Sequence, residues 1–241
     1  MTAMAASGLR SRMDSLDLLA NNMANASTGG YKADREFYSL YTAAEAQDSD
    51  APATMPVVQQ PWTDLSQGPI TNTGNSLDVA LSGKGFFSVS APGGTLYTRN
   101  GNFRLSAAGQ LVTSDGYALL GASGAPVTAQ GGLPIEISRD GTVNQGGQPI
   151  GRLDIADFTN TPGVAKQGGN YFRPVDPAVK PSVPAGTTVE QGKLEGANTG
   201  TAESAVRLVS IMRQFEMLQK AVLIGNDMSR QAIEQVAKVG S

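Results

Sequence analysis

The chain has 241 residues, 40% hydrophobic and 16% charged, with a formal net charge of −3 and no run of like charge. That balance gives nucleic acid no basic footprint to hold. With neither cysteine nor histidine, the chain can form no disulfide or thiolate metal site, and it lacks the commonest general base and metal ligand of neutral pH.

Residues 2–27 place apolar or small side chains at Thr2, Ala6, Leu9, Met13, Leu16, Ala20 and Met23. Alternating steps of four and three predict an amphipathic helix with one seam. Gly29-Gly30 ends it, since a helix C-terminus commonly needs the left-handed conformation that glycine adopts. Charges interrupt this segment, so it is no obvious secretory signal, and no run of about eighteen apolar residues predicts a membrane span. Asn21, Asn22 and Asn25 cluster beside the seam although asparagine is a mediocre helix former. They either face water at a frayed end or hydrogen-bond across a helix contact.

Residues 31–75 read as an extended connector, rich in Ala, Pro, Gln, Asp and Thr over 43–75, with one short strand around Val57-Val58. From Leu77 the period becomes two, through Val79 and Leu81. Turn signals follow at Ser82–Gly85, Asn100-Gly101, Asp115-Gly116 and Asp140-Gly141, predicting an antiparallel β-domain over 76–190. Glycine fits this picture, at 29 of 241 residues or about 12% against roughly 7% in average usage. Phe86, Phe87, Tyr97, Phe103 and Tyr117 are expected in its core. Asp78 is expected on a polar strand face or at a turn. Asp154 and Asp157 lie three apart, which on a strand points them to opposite faces, and Gly83-Lys84-Gly85 lacks the spacing of a phosphate loop. No catalytic, cofactor-binding or metal site is expected.

Residues 191–241 form the return segment and a long helix with a second seam at Leu208, Ile211, Phe215, Leu218, Val222, Gly225, Ser229, Ala232 and Val236. Glu203–Arg207, Glu216–Lys220 and Glu234–Lys238 stand in the favoured i,i+4 order. Met4, Met13, Met23, Met212 and Met217 read as packing residues. The expected class is α+β: N- and C-terminal amphipathic helices (1–30 and 191–241) pairing in a coiled-coil-like helical domain, with a central antiparallel all-β domain. Helices so far from a β-core must bury their seams on each other or on neighbouring molecules.

Three blocks carry a family resemblance: "LANNMANASTGGYKADREF", "QGPITNTGNSLDVALSGKGFFSV" with "YTRNGNFRLSAAGQLVTSDGYALLG", and "VEQGKLEGANTGTAESAVRLVSIMRQFEMLQK". In this order they resemble the axial proteins of the bacterial flagellum, specifically the basal-body rod family. The segment "RQFEM" at Arg213–Met217 is more similar to the proximal-rod branch, while "GANTG" departs from the usual Ser-Asn-Val, and the chain starts several residues later than family members. The resemblance implies a subunit exported by the flagellar type III apparatus, self-assembling with other rod subunits into a periplasmic drive shaft. It implies an interface at Leu9, Met13, Leu16, Ala20, Asn21, Asn22, Met23, Asn25, Leu208, Ile211, Phe215, Leu218 and Val222, with no cofactor, nucleic acid or direct membrane insertion. A distal rod or hook-type subunit, or a secreted coiled-coil adhesin with a β-head, are the alternatives.

Overall fold

The computed structural model describes residues 2–42, 54–158 and 163–239. Residues 43–53 of the predicted connector lie outside the described residues, as do the side chains of Thr2, Met4, Ala6, Ser229, Ala232 and Val236 and the Glu234–Lys238 pair. The chain divides into a helical unit, residues 1–24, 34–64 and 199–241, and a β-unit, residues 25–33 and 65–198.

In the helical unit, α1 (Thr2–Ala24) and α2 (Thr201–Val239) pack on one another. The unit also holds more strand than the sequence reading expects. β1 (Asp34–Thr42) and β2 (Thr54–Thr63) form an antiparallel pair with Tyr38 opposite Val58 and Leu40 opposite Pro56. β1 is rich in aromatic and hydroxyl residues suited to a pleated surface. Prolines mask β2 in the sequence, but a two-stranded sheet has only edges, where a missing N–H is tolerated. A register shift between Arg35 and Phe37 bends the pair. Glu203–Arg207 and Glu216–Lys220 do not close as ion pairs; all four side chains are exposed, where water competes for the charges.

The β-unit is antiparallel throughout. β3 (Ile70–Asn72) pairs with strand Lys193–Glu195, and β4 (Val79–Ser82) with strand Thr188–Gln191. β5 (Phe86–Ala91) and β6 (Gly94–Thr98) lie at the middle of an eight-stranded sheet that runs from strand Val164–Gly168 to strand Arg104–Leu105. Alternate residues of these strands meet in one core, with Leu81, Phe87, Val89, Leu111, Leu119 and Val143 fully enclosed. Phe87 and Phe103 stack edge to face at 5.3 Å. A second cluster gathers Phe86, Tyr97, Phe158 and Phe172. Of the predicted core aromatics, Tyr117 alone is half-buried, packed at 5.2 Å against Tyr171. Asp78 is buried and accepts a 2.8 Å hydrogen bond from Asn102 Nδ2.

Asn100-Gly101 is not the hairpin the sequence predicts. No strand pair flanks it, and Gly101 keeps an ordinary φ. A Cβ there would sit 1.6 Å from the carbonyl oxygen of Val79, so the glycine serves a close backbone approach.

Candidate assembly surfaces

On α1 the residues turned inward are Gly8, Ser11, Ser15, Leu19 and Asn22, in steps of three and four. This face lies one residue, or about 100°, from the predicted seam. Met13 and Met23 are 56% and 39% exposed, Ala20 is exposed, and Leu9 and Leu16 are half-buried at the border. The small residues of this face lie against α2: a Cβ on Gly8 would stand in ordinary contact, 3.6 Å from Leu218. The Ser15 hydroxyl donates to the Ser11 carbonyl at 3.0 Å, so a buried serine needs no cross-helix partner.

On α2, Leu208, Ile211, Phe215, Leu218, Val222 and Gly225 are all half-buried. The opposite side of the same helix is also apolar. Val206, Met217, Ile224 and Met228 fall within about 40° of one another on the helical wheel, and they are 49% or more exposed, as are Val209, Met212 and Leu223. Ala205, Val206, Val209, Ser210, Arg213 and Met217 line a shallow groove of about 610 Å³ on this side. A helix apolar on two opposite sides is built to lie between two partners, and α1 covers only one of them.

The asparagine cluster divides. Asn22 is buried, and its amide makes both bonds of a strand-like pair with the chain that leaves the helix: Nδ2 donates to the Asp34 carbonyl at 2.8 Å, and Oδ1 accepts from the Asp34 N–H at 3.0 Å. These bonds hold the chain where it leaves α1. Asn25 closes the turn after α1, its carbonyl accepting from the Thr28 N–H at 3.0 Å. Asn21 is exposed on α1.

Pattern reading missed a buried charge cluster in the β-unit. Lys32 and Glu195 are enclosed, with Nζ 2.6 Å from Oε1. Arg99, also buried, donates to Glu195 Oε2 at 3.1 Å and to the Gly83 carbonyl at 2.6 Å. Burial pulls the Arg99 guanidinium below its ordinary pKa, and the Glu195 carboxylate opposes that shift. The only hint in the sequence is that each residue falls inside one of the three resembling blocks.

Among the described residues no group of three or more acidic side chains could hold a metal. A β-unit with its own core, joined to helices that keep an apolar face outward, defines a class of structural subunit made for association. The family model for the flagellar hook protein FlgE/F/G D1 domain matches residues 80–145, and that for the flagellar basal body rod FlgEFG protein C-terminal matches residues 190–235. The flagellar basal-body rod protein FlgF of Caulobacter vibrioides is 33% identical over 228 residues, 93% of this chain and 92% of that protein. FlgG of Agrobacterium fabrum is 32% identical over 250 residues, covering 94% and 95%. The chain belongs to the bacterial flagellar basal-body rod protein family. The flagellar hook protein FlgE of Brucella abortus, by contrast, matches over 40% of this chain and 24% of its own length.

Proposed function

We propose that this chain is a structural, non-enzymatic subunit of the flagellar basal-body rod, of the proximal type. Its terminal helices pair in a coiled-coil-like fashion and assemble with copies of itself and other rod subunits into the shaft that carries torque across the periplasm. Export by the flagellar type III apparatus goes with this reading.

The observation that carries it is the second apolar face of α2. Val206, Met217, Ile224 and Met228 present to solvent an area that a monomer gains nothing from exposing. The outward residues of α1, Met13, Ala20 and Met23, supply a facing surface on the next copy. A contact between two different surfaces extends as a helical array wherever its rotation does not close into a ring, and such an array is the form a shaft requires. The proximal assignment leans on "RQFEM" at Arg213–Met217. The near-equal identity to FlgG supports the distal rod as a second reading.

The test is Ile224→Asp, a change on an exposed face that leaves the chain's own packing intact. Cells carrying it should export the protein yet build no complete rod and fail to swim. Swimming cells would overturn the assembly role of that face. Labelled subunits should give density beside the export gate, and density only beyond the outer ring would reject the proximal rod.

A further inference from the structure

The chain passes between its two units four times, at 24/25, 33/34, 64/65 and 198/199. On the β-unit side, the segments that lead into these passages are tied to one another around two enclosed side chains, Lys32 and Glu195. Lys32 Nζ donates to the Ser66 carbonyl at 2.6 Å and to Glu195 Oε1 at 2.6 Å. The Gly68 N–H donates to the same carboxylate oxygen at 2.9 Å, and the Gly30 N–H to the Glu195 carbonyl at 2.7 Å. Asn198 accepts from the Ala33 N–H at 2.7 Å and donates to the Ser66 carbonyl at 3.2 Å. Arg99 completes the set from the body of the sheet through Glu195.

Backbones are brought together as closely as glycine permits. A Cβ on Gly30 would lie 2.4 Å from the Arg99 main chain, and one on Gly68 would lie 2.2 Å from the Gly196 carbonyl oxygen. Gly30 of "STGGYK" and Gly68 of "SQGPI" are thus required at this place, whatever they also do for turns.

We infer that Lys32, Ser66, Glu195 and Asn198 form a single clasp that closes all or none, holding the β-unit ends of the passages as one body. The reason is electrostatic. A fully enclosed ammonium is tolerable only while its carboxylate and carbonyl acceptors are all in place, and Glu195 is tolerable only with its two cations. Release of any one segment strands a buried charge, so the others follow. Force entering from the helical segments therefore meets the clasp together instead of peeling one segment at a time. That mechanical meaning rests on the rod reading; the clasp itself does not.

Hydrogen exchange on the full-length monomer tests the clasp independently of any rod. In Asn198→Ala, which removes no charge, the amides of Gly30, Ala33, Gly68 and Gly196 should exchange roughly tenfold faster as a group. Those of Val89 and Leu119, deep in the sheet, should be unchanged. Lys32→Met should accelerate the same group further, and the double variant should do little more than Lys32→Met alone. Acceleration at Ala33 alone would show independent tethers and overturn the proposal. Equal acceleration at Val89 and Leu119 would overturn it as well, by showing that these groups serve the whole unit's stability.

Discussion

The two units of this chain solve the burial problem in opposite ways. The β-unit encloses Phe87, Leu81, Val89, Leu119 and Val143 completely and pairs even its buried charges from within. The helical unit leaves the seam of α2 half-buried and keeps a second apolar stripe in solvent. One unit is finished by its own chain, while the other keeps open the apolar face proposed above for assembly. Stability and assembly are thereby separated along the sequence, and substitutions should sort by unit.

The sharpest separation concerns size of effect. Phe87→Ala removes a fully buried ring stacked on Phe103 and should cost the β-unit about 3–5 kcal/mol. Leu218→Ala, on a half-buried seam, should cost the isolated chain far less, about 1–2 kcal/mol by the lost apolar area. Denaturant unfolding of the monomer measures both. Equal losses would erase the distinction between a finished unit and an unfinished one.

A smaller effect probes the chain's exit from α1. Asn22→Ala strips the paired hydrogen bonds from both backbone groups of Asp34 and should destabilise that exit by about 1–2 kcal/mol, with faster exchange at the Asp34 amide. Loss of subunit association with an unchanged Asp34 amide would instead return Asn22 to the surface role that its place beside the seam suggests.

What the sequence discloses follows from the range of each interaction. The seam of α2 is legible because it repeats within one 39-residue helix, where every step is local. The inward face of α1 is not, because Gly8, Ser11 and Ser15 pack by being small, and a count of apolar residues passes over them for the larger Met13 and Met23. β2 is hidden by prolines that an edge tolerates. The turn at Asn100-Gly101 misleads because glycine answers two different demands, an unusual φ and a close neighbour. Lys32 and Glu195 stand 163 positions apart, and no local period announces such a pair. The family resemblance reaches these residues without explaining them; the enclosed geometry supplies the reason.

The smallest expected effect is a matter of pH, and it belongs to the β-unit. The Tyr171 phenol donates to Asp115 Oδ2 at 2.6 Å and lies 3.0 Å from Thr113 Oγ1. Burial first, and then the hydrogen bond to the Asp115 carboxylate, hold its pKa above the ordinary phenol value, with Thr113 opposing. A folded-state pKa above the unfolded one means that the folded state holds its proton more tightly. The stability this contributes is fully present below the unfolded phenol pKa of about 10 and is lost as pH rises towards the folded value. Tyr97 is shifted in the same direction, by burial and then by the charge of Asp154. Tyr171→Phe should therefore flatten the alkaline fall of the melting temperature without abolishing it, Tyr97 accounting for the remainder. Curves for the two proteins that stay parallel from pH 8 to 11 would show that Tyr171 ionises as freely in the fold as in the open chain, and would place the alkaline weakness of the β-unit elsewhere.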